Sequence, residues 1–317
     1  MQPYYHRSVM AEQVLEYLAP DSAGQLMIDG TLGEGGHSAA FLERFPDLTL
    51  VGLETDPNIL SRAEGRLASF GDRVRLENTW FDDFLRSCPL AVRPDRILLD
   101  LGISVFHYQA SDRGFSFRAD EPLDMRLRPG QGESARDVVM LTPEKELADL
   151  IFRYGEERYS RRIARSLVER RKTESFATAA ELAEAVFQAV PVAYRHGRIH
   201  PATKTFQALR IVVNDELNRL ERALEGGVRC LQMGGRMGII TFHSLEDRMV
   251  KRFFRDLARS SIPAPESLKG AIEVQPVLRL VNKKPILADE KEVQENPPSR
   301  SAKLRVVEKI AEMPRSA

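Results

Sequence analysis

The 317 residues, 43% of them hydrophobic and 29% charged, suffice for one large or two medium domains with an ample core, which excludes disorder as the default. Forty-six Lys and Arg balance forty-six Asp and Glu, so whole-molecule attraction to a polyanion is excluded and any nucleic-acid contact must use a local patch. Two cysteines in unrelated contexts, Cys88 and Cys230, leave no disulfide framework and no Cys-rich zinc site, and no uncharged apolar run is long enough to span a bilayer.

The segment Met1–Arg7 has no apolar h-region, so the expected compartment is the cytoplasm. Val9, Val14, Leu15 and Leu18 are spaced helically, and that helix stops near Pro20. Met27-Ile28-Asp29 then reads as a strand that enters a Gly-rich turn, Gly30 to Gly36, with an amphipathic run from Ala39 to Phe45 directly after it. Glycines let a backbone approach a ligand closely, and the free N–H groups of a helix start favour carboxylates or phosphates. A second strand, Leu48–Glu54, ends in an acid twenty-four residues past Gly30, where a carboxylate suits a ribose. Pro57 opens a helix to about Phe70, Arg73–Glu77 alternates as a third strand, and Asp95–Leu101 is a fourth with Asp100 at its tip. Strand and helix in alternation predict an open α/β sheet, whose ligands sit beyond the carboxyl ends of its strands.

From about Phe106 to Lys204 the rhythm breaks. A polar and aromatic loop, Asp112 to Arg126, precedes a helix opened by Thr142-Pro143 and ended by Gly155, a second marked by Tyr159, Ile163 and Leu167, and a third with the capping box Thr178-x-x-Glu181. This block reads as a helical domain of residues 106–204 inserted into an α/β domain of residues 1–105 and 205–317. A long helix follows from Pro201, with Phe206, Leu209, Val213, Leu217, Leu220 and Leu224 in register, ended by Gly226-Gly227. The sheet resumes at Arg236–Phe242 and is completed by Val277–Val281 and Lys303–Val307.

Between Arg153 and Lys172 eight basic residues face three acids, with Tyr154, Tyr159 and Tyr194 interleaved, and a second basic cluster runs from Arg195 to Lys204. A solvated helix face explains one such run; two in one insert favour RNA. No two histidines stand at metal-ligand spacing with Cys or acidic partners; His196-x-x-x-His200 comes nearest, but Gly197 and Pro201 argue against a helix there, so no metal is expected. His37 reads as a helix cap or a cofactor neighbour, and His243, just past a sheet strand, as a site candidate. The turn Asp29-Gly30-Thr31-x-Gly33-x-Gly35-Gly36 differs from the G-x-G-x-x-G of dinucleotide folds and resembles the D-G-T-x-G-x-G-G turn of S-adenosylmethionine methyltransferases; a nicotinamide oxidoreductase is the runner-up. Asp100 occupies the place such enzymes use beside the methyl group, although the D/N-P-P-Y/F signature is replaced by Asp100-Leu-Gly-Ile-Ser104.

Eight segments together closely resemble the ribosomal small-subunit methyltransferase H (MraW) family. They are Asp29–Ser38, Asp100–Ser104, Arg113-Gly-Phe-Ser-Phe117, Pro122-Leu-Asp-Met-Arg126, Tyr154-Gly-Glu-Glu-Arg158, His200–Arg210, Phe242-His-Ser-Leu-Glu-Asp-Arg248 and Ser299–Arg305, and the match runs from about His6 to Lys309. The resemblance implies a class I methyltransferase fold with an inserted helical substrate domain. It implies S-adenosylmethionine as cofactor, and the N4 amine of one cytosine in the decoding centre of the 16S rRNA of the small ribosomal subunit as acceptor. Carried over by position, the cofactor contacts are Gly35, Gly36, His37, Phe81 and Asp100. Glu54 stands where the family usually has Asp and keeps the ribose role. His107 stands where a cofactor-contacting Gln is expected, because Val105–Gln109 replaces the usual P-Q-L-D continuation, and Asn296-Pro-Pro-Ser299 replaces N-P-R-A/S. Asp100, His243 and Asp124 are the catalytic or acceptor-side candidates, and Arg113–Arg126 is expected to grip rRNA with the insert. A DNA cytosine-N4 methyltransferase and an RNA scaffold that binds the cofactor without turnover are the rivals. No membrane partner is expected, and the oligomeric state stays open, a homodimer among the alternatives.

Overall fold

The computed structural model describes residues 8–314 except 90, 119, 198 and 264–270. The chain forms two compact units, one from the segments up to Ile103 and from Arg219 onward, the other Ser104–Asn218. The expected return to the α/β domain at residue 205 therefore comes later, because the helix Ala202–Val213 packs on helices of the second unit, Glu144–Gly155 and Ala179–Ala189.

The first unit is built on a sheet. Its strands are β1 (Leu26–Asp29), β2 (Thr49–Glu54), β3 (Val74–Asn78), β4 (Arg96–Asp100) and β5 (Arg236–Thr241), while β6 (Ser261–Pro263) and β7 (Ala271–Glu273) form a separate antiparallel pair. β8 (Leu278–Leu280), β9 (Ile286–Leu287) and β10 (Lys303–Lys309) complete the sheet. The order is β3-β2-β1-β4-β5-β10-β8, parallel through β5, with β10 antiparallel to β5, β8 and β9. This is the class I methyltransferase arrangement, with the reversal of strand order between β1 and β4. Successive residues of a strand face opposite sides. Ile28, Ile97, Leu99 and Ile239 thus enter one core layer, and Met27, Leu50, Leu98 and Ile240 the other. Register brings Glu54 opposite Asn78 and Asp100 opposite Ile240, so the acidic tips of β2 and β4 lie on the carboxyl edge of the sheet.

Two expectations are corrected here. The long helix from Pro201 is two helices, Ala202–Val213 and Glu216–Cys230, and Gly226 and Gly227 lie inside the second. The break falls at Asn214 and Asp215: Asp215 takes a left-handed φ of 53°, and the Asn214 amide bonds Leu127 N–H and the Met125 carbonyl. Gly226 is a contact point, since a Cβ there would lie 2.8 Å from the Leu85 carbonyl carbon and 2.9 Å from Arg86 N. The helix Phe81–Ser87 crosses at that place. Cys88, just past that helix, is disulfide-bonded to Cys230, so the two contexts read as unrelated meet in space.

The second unit carries helices Val105–Gln109, Ala135–Leu141, Glu144–Gly155, Ser160–Arg170, Ala179–Ala189, Val192–Arg195 and Ala202–Val213. Both bonds of the Thr178–Glu181 capping box form. Leu147 and Ile151, and Ile163 and Leu167, each pair four residues apart on one helix face, are wholly buried, as are Leu182 and Leu209. Among the described residues its only strand-like pairing is a bridge between Pro122 and Thr178. No helix of the described residues is long and apolar enough to cross a membrane.

Candidate active site

The turn after β1 is assembled by its own backbone. Gly30 N–H donates to the Leu98 carbonyl and Leu32 N–H to the Leu53 carbonyl, both at 2.9 Å, which fastens the turn to the two neighbouring strands. Gly33 and Gly35 have φ of 53° and 76°, a left-handed conformation that glycine adopts without cost, and Gly35 caps the helix Gly36–Arg44. Asp29 supports the turn from beneath. Its buried carboxylate accepts from the Ser38 hydroxyl at 2.7 Å and from Thr31 N–H at 3.3 Å.

Glu54 reaches this turn from β2. One carboxylate oxygen accepts from Gly33 N–H at 3.0 Å and the other from Asp56 N–H at 2.8 Å. Burial pushes its pKa up to about 7 against the pull of those two N–H groups. Asp56 in turn caps the helix Pro57–Leu67 by accepting from Asn58 N–H.

Asp100 closes the other side. Its N–H donates to the Thr31 hydroxyl at 2.6 Å, and its Oδ2 lies 3.4 Å from His37 Nε2. Burial works against charge on His37, but the Asp100 carboxylate, with Asp29 and Glu292 nearby, outweighs it and holds the imidazole above its usual pKa. Asp29 is pushed up by burial, only partly offset by His37 and Ser38. Asp100 Oδ1 is buried and has no hydrogen-bond partner among the described residues, while His37 Nε2 faces Asp100 Oδ2 as an ion pair. Native structures rarely leave such a carboxylate oxygen unpaired, which makes this atom a candidate contact for a polar ligand group.

Phe81 flanks the turn, its Cβ 3.5 Å from where a Gly30 side chain would begin. It opens the helix Phe81–Ser87, whose second residue, Asp82, is wholly buried and shared by two arginines, Arg219 Nη1 at 2.7 Å and Arg222 Nε at 2.8 Å. The Arg219 guanidinium also lies over the Trp80 ring, 3.8 Å from its centroid. This cluster holds the segment carrying Phe81. Nothing in the sequence pointed to it, because its members stand nearly 140 residues apart.

His243 sits past β5 as the cap of the helix Ser244–Leu257. Its Nδ1 faces Glu246 N–H at 3.4 Å, and the Glu246 carboxylate takes the N–H groups of Phe242 and His243 at 2.9 and 3.2 Å. The neighbouring Asp247 joins two motifs, receiving Arg305 at 2.8 Å and Lys303 at 3.2 Å. Burial would raise Asp247, but those two cations hold it below the usual carboxylate range.

The remaining site candidates belong to the second unit. His107 is buried in the helix Val105–Gln109, its ring centroid 5.0 Å from that of Phe115. Asp124 is clasped by Arg126 through both carboxylate oxygens. Arg113, expected to grip rRNA, is buried and donates to the Arg126 and Leu127 carbonyls at 2.8 and 3.1 Å. Arg113 and Arg126 are thus held within the loop, while Arg118 is exposed. Tyr194 is also committed, its hydroxyl donating to Glu157 at 2.8 Å.

The chain matches the model of the MraW methylase family over residues 3–310. It is 54% identical over 312 residues to a ribosomal RNA small subunit methyltransferase H of Treponema denticola, covering 98% of each chain. It is 48% identical to the protein of that name from Syntrophobacter fumaroxidans, covering 96% of each. It is 44% identical to that from Borrelia turicatae, covering 97% of this chain and 99% of the relative. Among solved structures an rRNA methylase from Streptococcus thermophilus aligns at a TM-score of 0.42 with 10% identity, over 95% of this chain and 94% of that one. At that level the likeness adds nothing to the strand order.

Proposed function

The chain belongs to the MraW methylase family, and we propose that it transfers a methyl group from S-adenosylmethionine to the N4 amine of one cytidine in the decoding centre of 16S rRNA. The observation that carries the reading is the unpartnered buried Asp100 Oδ1, on a carboxylate whose Oδ2 faces His37, beside a turn fastened to β2 and β4. The names of the relatives support small-subunit rRNA as the substrate.

The residues present fit the donor. The helix start at Gly35, Gly36 and His37 suits the carboxylate of its amino-acid part, Glu54 the ribose hydroxyls, and Phe81 a face of the adenine. Bound there, S-adenosylmethionine supplies a methyl group made electrophilic by its sulfonium. The protein's part is alignment and proton handling. Asp100 Oδ1 accepts an N–H of the acceptor amine, which aims the nitrogen lone pair, and then takes up the proton that the methylated amine loses. His37 beside Oδ2 provides the countercharge. His243 at the same sheet edge, and His107 and Asp124 in the second unit, are assigned by motif position to the acceptor side and the cofactor. The second unit, with its basic helices, is the substrate-recognition part.

The test is transfer from radiolabelled S-adenosylmethionine to small ribosomal subunits from cells lacking this gene, with naked rRNA and DNA in parallel. N4-methylcytidine at a single rRNA position is the expected product. Label in DNA alone, or cofactor binding without any transfer, would overturn the assignment.

A further inference from the structure

We infer that Arg158, Arg161, Arg162 and Arg165 form a phosphate-binding stripe for the RNA backbone, with Arg158 as its rigid anchor. The inference rests on the rRNA reading above and says which of the insert's many cations act on the substrate.

Most cations of the second unit are spent internally. Arg171 donates to the Val139 and Thr142 carbonyls at 2.7 Å, Arg170 pairs with Glu174 and Lys172 with Glu169, each at 2.8 Å. Arg210 forms a two-pronged pair with Glu216, and Lys204 donates to the Glu156 carbonyl. Arg161 and Arg162 are exposed and make no ion pair among the described residues, and Arg165, 76% exposed, stands only 3.5 Å from Glu144 at the surface. Arg161, Arg162 and Arg165 are spaced by three and four residues on the exposed face of Ser160–Arg170, with Arg158 in the turn that leads into that helix, while Ile163, Ala164 and Leu167 occupy its buried face. The stripe contains no apolar side chain to enter a lipid layer, and its charge complements a polyphosphate.

Arg158 differs from the other three in being held. Its guanidinium carbon lies 4.8 Å from the Tyr159 ring centroid and 4.9 Å from that of Tyr194, and the two rings stand 4.9 Å apart at 66°, so it rests in the corner they make. The corner is fixed from behind. Glu157, wholly buried, accepts from the Tyr194 hydroxyl and from Tyr159 N–H, both at 2.8 Å. Gly155 lets the helix Ala202–Val213 come so close that a Cβ would collide with the Lys204 carbonyl oxygen, and Gln207 donates to the Tyr154 carbonyl. Two of the long sequence motifs, Tyr154–Arg158 and His200–Arg210, thus converge on setting one arginine. An arginine braced over aromatic faces presents its N–H fork without losing side-chain freedom, and that fork matches two phosphate oxygens.

The experiment measures binding of the full chain to a small-subunit rRNA transcript and to small ribosomal subunits over a salt series, with S-adenosylhomocysteine titration as a check on the cofactor site. In R161Q/R162Q/R165Q the slope of log Kd against log salt should fall by about two to three, with cofactor affinity unchanged. R158K keeps the charge but not the fork, so its slope should stay and its affinity drop by about tenfold. An unchanged slope in the triple variant, or R158K indistinguishable from the unaltered chain, would overturn the stripe while leaving the methylation reading intact. Failure of the unaltered chain to bind either RNA would bring down the rRNA reading itself.

Discussion

Affinity for the cofactor should rise with pH as Glu54 ionises. The group is half-buried and its pKa is pushed up to about 7 by desolvation, so about a tenth of it is ionised at about pH 6, half at about 7 and nine-tenths at about 8. Ribose hydroxyls donate to a carboxylate, and a protonated carboxyl has lost much of its capacity to accept them. Affinity should therefore climb by about tenfold from pH 6 to 8, and binding near pH 7 should release about half a proton. The effect on the cofactor-free fold has the opposite sign. Because the folded pKa lies above the ordinary 4.5, this group's contribution is fully present below about pH 4.5 and is lost as pH rises through about 7. Titration calorimetry with S-adenosylhomocysteine in two buffers of different protonation enthalpy reads both affinity and proton release. Glu54→Gln should flatten the profile and cost about tenfold at the alkaline end. A flat profile in the unaltered chain, with no buffer dependence of the heat, would refute the ribose role of Glu54.

Three further expectations follow from single contacts. Gly226→Ala places a methyl 2.8 Å from backbone that has nowhere to move, and should cost about 2–4 kcal/mol, read as a lowered denaturant midpoint at constant slope. Asp82→Ala removes the buried carboxylate shared by Arg219 and Arg222 and should cost about 3 kcal/mol, with weakened cofactor binding as Phe81 loses its support; unchanged stability would show the cluster to be incidental. Asp100→Ala should lower single-turnover transfer by at least about a hundredfold while the thermal midpoint stays within a few degrees. Full activity there would remove Asp100 from the chemistry.

The parts that were legible in the sequence are those fixed by neighbours in the chain. The Gly33–Gly35 turn, the Thr178 capping box and the acidic tips of β2 and β4 announce themselves because local backbone geometry demands those residues. The misread parts are set from far away. The apolar register runs unbroken through Val213 and Leu217, yet the helix breaks because the Asn214 side chain is needed by Met125 and Leu127. Gly226 looks like a helix end and is instead the price of close packing on Leu85. Two of the tyrosines interleaved with the basic residues brace an arginine, a role visible only once Tyr194 and Tyr159 are brought face to edge.

The position of β4 carries a consequence for the chain during its synthesis. β4 pairs with β1 on one side and with β5 on the other, and about 135 residues separate Asp100 from Arg236. At roughly 5–20 residues per second a ribosome needs about 7–27 s to cover that stretch. Throughout it the apolar run Ile97-Leu98-Leu99, wholly buried in the finished sheet, has an open hydrogen-bonding edge on the nascent chain. The second unit, Ser104–Asn218, is fully translated in that interval. Chaperone capture of the nascent chain should therefore peak after β4 emerges and fall once β5 does.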